Sequence, residues 1–223
     1  ETLPTPSHQL LPKLSPIPAH PDDVAQAAKL VAASERIVIF AGLGAVAAKA
    51  APACRALAAK TGAILTTSLP ARGLFHDDPY CVGISGSFST EVGLDLIAQA
   101  DLVIIVGGSL AFHAGGGGQL WKKAKMLHID IDPVAVAQGQ EVARNHLRAD
   151  ARLGVEALTA AIPDRANKWR TEAMAARIRD TKADNHVFEV EPNLLDPREV
   201  IATLEKSLPK DWELVNSGGH CSW

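Results

Sequence analysis

Four short segments of this 223-residue chain combine glycine, hydroxyl and carboxylate groups in patterns that can bind a ligand. The first is Gly42-Leu43-Gly44-Ala45, where a Gly-x-Gly turn lets backbone N–H groups and a helix N-terminus come close to a phosphate. The third glycine of a full dinucleotide fingerprint would fall on Ala47, so the turn reads either as a nucleotide cradle or as a plain tight turn. The second segment, Gly83-Ile84-Ser85-Gly86-Ser87-Phe88-Ser89, has side chains small enough to admit a flat ligand, although Ser89 or Thr90 equally serves as a helix cap. The third runs from Gly107-Gly108-Ser109 to His113 and on into Gly115-Gly116-Gly117-Gly118, which either wraps a ligand or is a mobile loop; mobility is the expectation. The fourth is Asp130-Ile131-Asp132-Pro133, where a carboxylate at a strand end can accept the hydroxyls of a ribose or cap the next segment. Gly42, Gly44, Gly83, Gly86, Gly107, Gly108, Asp130 and Asp132 therefore outline a candidate nucleotide cleft.

Bond-making chemistry is harder to find. His128 lies inside an apolar run and reads as a buried, hydrogen-bonded core histidine. His76, Asp77 and Asp78 read as a solvated turn. Cys54 sits among alanines on a helix, and Cys81 has no histidine beside it to activate a thiolate. No His, Cys and carboxylate set has metal-ligand spacing. No catalytic residue and no metal ligand is assigned.

The elements that must position these loops follow from periodicity. Arg36 to Ala41 and Leu102 to Val106 are continuous apolar runs, the pattern of parallel strands covered on both faces. Shorter strands are predicted over 63–67, 81–84 and 126–131. Helices are predicted from Asp22, whose carboxylate can cap the first, from Ala45 through Lys60, from Ser89 to Ala100, and over 151–161. Alternation of this kind implies βαβ units and a doubly wound, Rossmann-like α/β domain with a mostly parallel sheet of about six strands. Ligands in such sheets sit at the carboxyl ends of the strands, where all four segments fall.

The organisation beyond the sheet is expected to be a proline-rich linker over 1–21, the central domain over 22–163, a helix and linker over 164–195, and the start of another domain over 196–223. A charged helix is predicted over 165–182, a further helix from Asp196 to Ser207, and a fresh strand from Trp212 to Val215. The chain opens on Glu1 rather than Met and ends on Trp223, so it is expected to be cut from something longer. A net charge of −3 argues against nucleic-acid binding. No run approaches the roughly 20 apolar residues of a membrane span, and three scattered cysteines fit a reducing cytoplasm.

The order of the loops carries a resemblance. Gly42-Leu43-Gly44-Ala45 is followed by Thr66-Thr67-Ser68-Leu69-Pro70-Ala71-Arg72-Gly73, Asp78-Pro79, Gly83-Ile84-Ser85-Gly86, Ala100-Asp101 with the strand ending at Gly107, and His128-Ile129-Asp130-Ile131-Asp132-Pro133. This series resembles the central domain of thiamine-diphosphate-dependent enzymes of the acetolactate synthase and 2-oxoacid decarboxylase superfamily. Asp196-Pro197-Arg198 through Asn216-Ser217-Gly218-Gly219-His220 resembles the start of that family's diphosphate-binding domain.

The resemblance implies a parent enzyme that forms or cleaves a C–C bond beside a 2-oxo acid carbonyl, with thiamine diphosphate and Mg²⁺ as cofactors. It implies flanking domains in the same chain and a homodimer or homotetramer. Gly218, Gly219 and His220 would contact thiamine diphosphate, while the chain by itself, lacking the activating glutamate and the Gly-Asp-Gly metal motif, is expected to be inactive. Central domains of the family bind FAD, ADP or nothing. Here the flavin-contacting stretch reads Ser109-Leu110-Ala111-Phe112-His113, without the family's arginine and acids, which argues against FAD. The alternatives are an NAD-binding domain of the sirtuin or transhydrogenase type and a non-catalytic nucleotide-binding assembly module.

Overall fold

Ile37–Ala41 (β1) and Leu102–Val106 (β4) are buried at every position, because each strand is covered on both faces. Ile64–Thr67 (β2), Cys81–Ile84 (β3), Lys125–Asp130 (β5) and Asn145–Arg148 (β6) complete the sheet. In the computed structural model, which describes residues 15–132, 145–164, 169–182, 187 and 189–212, all five strand pairings are parallel and the order is β3-β2-β1-β4-β5-β6. The doubly wound α/β expectation is borne out. Winding starts at β1, runs outward through β2 to β3, then returns to the other side of β1 with β4. The switch point therefore lies between β1 and β4.

Strand alternation divides the core into two layers. Ile37, Ile39, Leu102, Ile104 and Leu127 face one side, against Pro21–Ala32 (α1), Ala51–Thr61 (α3) and Ala151–Ala161 (α6). Val38, Phe40, Val103 and Ile105 face the other, against Glu91–Ala98 (α4), Ala114 of the short helix Phe112–Gly115 (α5), Trp121 and Glu172–Asp180 (α7). Met174 and Ile178 of α7 pack on this second core, and Arg177 of α7 pairs with Asp95 of α4 at 2.6 Å.

Several predicted elements shift, each for a local reason. The first helix starts at Pro21, and the cap is His20 rather than Asp22: His20 Nδ1 accepts from the Asp22 N–H at 3.3 Å. The alanine-rich helix predicted through Lys60 is two helices, Leu43–Ala47 (α2) and α3. Pro52 has no N–H to donate and its ring crowds the carbonyl of residue 48, so one helix cannot run through; Lys49 turns the corner with φ 53. The helix predicted from Ser89 starts at Glu91, capped by Thr90, whose hydroxyl accepts from the Gly93 N–H at 3.1 Å. Edge strand β6 is unpredicted because its four residues include His146 and Arg148 and show no apolar run. Within the predicted charged helix, residues 165–168 lie outside the described set, Trp169 and Arg170 are not helical, and α7 begins only after Thr171.

The residues from Asn185 on form a second unit. Its described element is Pro197–Ser207 (α8), capped by Asp196, with no buried residue. Of the strand predicted over 212–215 only Trp212 is described, and it is not in a strand. No helix among the described residues is long and apolar enough to cross a membrane.

Two substitutions test this layering. Ile104 is fully buried in the central strand, so Ile104→Ala is expected to destabilise by about 2–5 kcal/mol. Thr90→Ala removes only a cap and is expected to cost about 1 kcal/mol. Urea unfolding followed by circular dichroism measures both, and equal losses would contradict the assignment of β4 to a doubly covered core.

Candidate functional site

The loops after β1 and β4 meet at the switch point, and they meet backbone to backbone. The Gly42 N–H donates to the Val106 carbonyl at 2.9 Å, and the Gly44 N–H donates to the Gly107 carbonyl at 2.8 Å. A methyl group on Gly44 would stand 2.8 Å from Gly107 Cα, one on Gly107 would stand 2.5 Å from the Ala45 nitrogen, and one on Gly42 would collide with the Gly107 oxygen. Gly107 also has φ +57, a left-handed conformation that favours glycine. Gly108 lies against the Phe40 ring, leaving no room for a side chain there either.

Beside this junction lies a cleft with two lobes. One, about 380 Å³, is walled by Phe40, Leu43, Ser68, Pro70, Leu110 and Asp130, among others. The second, about 270 Å³, runs from Ala47 and Ala48 past Asp130 to Asp150 and Ala151. Gly44, Gly107 and Asp130 border both. Leu110 is buried in the wall although its φ is +52, a strained conformation for a branched side chain. Ser68 Oγ is shielded from water without a hydrogen-bond partner.

Asp130 is tuned by its neighbours. Burial raises its carboxyl, but the His128 side chain and the Asp132 and Ile131 amides outweigh that and hold it below the usual carboxylate range. His128 is fully buried, with Nε2 at 3.0 Å from the Gly108 carbonyl and 3.4 Å from Asp130 Oδ2. Both neighbours are acceptors, so Nε2 carries the proton. His128 Nδ1 is then a bare acceptor with no partner. His146 of β6 stands edge-on to the His128 ring, centroids 5.4 Å apart, with its own Nε2 buried and unpartnered. Burial first, and then His128, lower the His146 pKa from 6.5.

Of the residues that the sequence nominates, Gly42, Gly44, Gly107 and Asp130 border the cleft. Gly83 and Gly86 belong instead to a loop knitted to the segment after β4: Ser87 N–H donates to the His113 carbonyl at 2.8 Å, and Ser85 Oγ donates to the Ala114 carbonyl at 2.7 Å. Asp132 donates its N–H to Asp130 Oδ1 at 3.3 Å and borders neither lobe. The glycine run 115–118 is folded into hydrogen-bonded turns rather than an open loop, with Gly117 donating to Phe112 and Leu120 to Gly115. It seats Trp121, which packs edge-on against Phe40 at 5.9 Å. Gly218, Gly219 and His220 lie outside the described residues.

Ser68, Leu110 and Asp150 border the cleft without having been nominated. Asp150 had a readable signal, a carboxylate one residue before an amphipathic helix; it accepts from the Arg152 and Leu153 N–H groups at 3.0 and 3.1 Å. His128 is the buried core histidine that its apolar setting predicts. His76 and Asp77 are exposed, as a solvated turn requires, with Asp77 paired to Arg55, whereas Asp78 departs from that reading, largely buried and paired with Arg170 at 3.4 Å. Burial pushes the Cys54 thiol up to about 12 and also raises Cys81, so neither is a ready nucleophile. Among the described residues no three His, Cys, Asp or Glu side chains are grouped to hold a metal ion.

Residues 24–158 match the family model described as thiamine pyrophosphate enzyme, central domain. The chain is similar to a probable acetolactate synthase large subunit of Methanocaldococcus jannaschii, 32% identical over 141 residues, covering 62% of this chain and 24% of that protein. It is similar to the acetolactate synthase large subunit of Corynebacterium glutamicum, 28% identical over 222 residues, covering 96% and 35%. A probable 2-ketoarginine decarboxylase of Pseudomonas aeruginosa is 35% identical over 159 residues, covering 71% and 27%. The chain thus spans roughly a quarter to a third of these relatives.

The depressed His146 pKa makes stability depend on pH. The neutral ring is favoured in the fold, so its contribution is complete above about 6.5 and is lost as pH falls through the lower folded value. Urea midpoints measured from pH 8 to 5 are expected to decline on the acid side, and His146→Gln is expected to flatten that decline. An unchanged slope in the variant would assign the acid sensitivity elsewhere.

Proposed function

The chain belongs to the thiamine pyrophosphate enzyme central-domain family, and from that membership we propose that it is the middle domain of an enzyme that forms or cleaves a C–C bond beside a 2-oxo acid carbonyl. The relatives named as acetolactate synthases and as a probable decarboxylase support this class of reaction, and no observation favours the NAD-dependent alternative. The observation that carries the reading is that the matched residues 24–158 contain the whole six-stranded sheet and its switch point.

The work of the chain's own residues in that enzyme is positional. Among the described residues the site offers no activated thiol and no metal cluster, and its His128–Asp130 pair is tied to the Gly108 carbonyl. In the parent protein, thiamine diphosphate supplies the carbanion chemistry when bound. The described residues do not form a site for it or for its Mg²⁺. Gly218, Gly219 and His220 are the residues of this chain proposed to contact the diphosphate. The sheet, closed at β1 and β4 by direct backbone hydrogen bonds, acts as a stiff spacer between flanking domains, joined through the linker proposed over 1–21 and the helix and linker proposed over 164–195, with 196–223 proposed as the start of the next domain. A homodimer or homotetramer in the cytoplasm completes the proposal.

Carbon dioxide release from a panel of 2-oxo acids distinguishes these roles. The parent protein is expected to turn over only with thiamine diphosphate and Mg²⁺, and the 223-residue chain not at all. In the parent, Gly219→Val is expected to raise the half-saturating thiamine diphosphate concentration at least about tenfold, by crowding the cofactor. Turnover by the parent without thiamine diphosphate, or submicromolar NAD binding by the chain, would overturn the reading.

A further inference from the structure

The fold order and the glycine turn after β1 both imply a phosphate-bearing nucleotide at the switch point. Three features of the cleft oppose one. In a nucleotide cradle the glycines leave space and N–H groups for a pyrophosphate. Here that space is filled by the opposite loop, since methyl groups on Gly44 or Gly107 would run into Gly107 Cα or the Ala45 nitrogen. The Gly42 and Gly44 N–H groups already donate to Val106 and Gly107.

The second feature is the helix termini. α2 has only five residues, too few for a useful dipole, and stops at Ala47, before the turn at Lys49 that leads into α3. The longer helix α6 does reach the cleft, but its first amides are taken by the Asp150 carboxylate. An arriving anion would meet a helix end that is already neutralised.

Charge is the third. Among the described residues bordering the two lobes there is no lysine or arginine, while Asp130 and Asp150 are present. Asp130 shares the His128 Nε2–H with the Gly108 carbonyl and stands where both lobes meet. A diphosphate would bring its negative charges against two carboxylates across a partly apolar space, where screening is weak.

We infer that the switch-point cleft is closed to phosphate-bearing nucleotides, and that its glycines interlock the β1 and β4 loops instead of cradling a ligand. This goes beyond the proposed function, which holds whether or not the cleft binds anything. The remaining space, walled by Phe40, Pro70 and Leu110, has the chemistry of a small uncharged molecule rather than of FAD or ADP.

Calorimetric titration of the whole chain with adenosine, ADP and FAD tests this, because adenosine and ADP differ only in the diphosphate. ADP is expected to bind no tighter than adenosine, and FAD not to bind below about 100 µM. Undetectable binding of all three supports the inference equally. ADP binding more than about tenfold tighter than adenosine would overturn it, as would FAD binding below about 10 µM. Leu43→Arg places a cation on the exposed rim of the first lobe, and Asp130→Asn removes the shared carboxylate. Because the glycine loops still fill the phosphate space in this variant, ADP is expected still to bind within about tenfold of adenosine. ADP binding more than about tenfold tighter than adenosine in a variant that folds by circular dichroism would show that charge alone excludes it and would overturn the interlock. Carbon dioxide release by the parent protein is a separate readout, so either idea can fail alone.

Discussion

The pairing of β1 with β4 is the contact on which the rest of the molecule depends. Five consecutive residues on each strand are in register, from Ile37 beside Leu102 to Ala41 beside Val106. The pair is fastened at both ends. At the start, the Asp101 carboxylate accepts the Glu35 N–H at 2.8 Å and the Arg36 N–H at 3.1 Å, spanning 65 residues of sequence. At the finish, the glycine loops close on one another through Gly42 and Gly44. Because this is the switch point, both halves of the sheet are built outward from it: β2 and β3 on one side, β5 and β6 on the other. Neither half could shift by one residue without turning its apolar set to the wrong layer.

Polar groups buried near this seam are placed with the same economy. His128 sits inside the second core layer, where an unpartnered ring would be costly, and its one N–H is directed between the Gly108 carbonyl and Asp130. That arrangement ties β5 to the loop after β4 and keeps Asp130 ionised at the cleft. On the other flank Arg170 performs a comparable tie. Its Nε donates to the Ala63 carbonyl at 2.7 Å, its Nη2 reaches Asp78 at 3.4 Å, and its guanidinium stacks 4.6 Å from the Tyr80 ring centroid. The segment before α7 is thereby fastened to the entries of β2 and β3. Most of the remaining ion pairs, such as Arg152 with Glu156, are solvent-exposed and contribute little.

The elements legible in the sequence are those whose signal is local. Strands β1 and β4 are apolar at every position, and caps such as Thr90, Asp150 and Asp196 announce helices one residue ahead. Where a local signal competes with another, the reading slips. The alanines after Gly44 favour a helix, but Pro52 divides it. Strand β6 carries little pattern of its own and exists because β5 offers an open edge, with Leu147 as its one fully buried residue. Trp121 gives no hint from its flanking lysines that it will fill the space beneath Phe40.

The amino-acid sequence by itself determined the class of fold, the order of strands and helices along the chain apart from β6 and the division of one helix at Pro52, and the set of loops gathered at the carboxyl ends. Those follow from hydrophobic period, glycine and proline placement and capping groups, all of which act over a few residues. Tertiary structure decided what the loops do. Gly42 and Gly44 look the same whether they face a phosphate or a neighbouring strand loop, and only the approach of Gly107, more than 60 residues away, settles that they face protein. The same holds for Asp130 and Asp150, whose convergence on one cleft with no lysine or arginine among its described bordering residues depends on how β5, β6 and the helix α6 that follows them pack. Local chemistry sets what a residue is able to bind, and long-range packing sets what it meets.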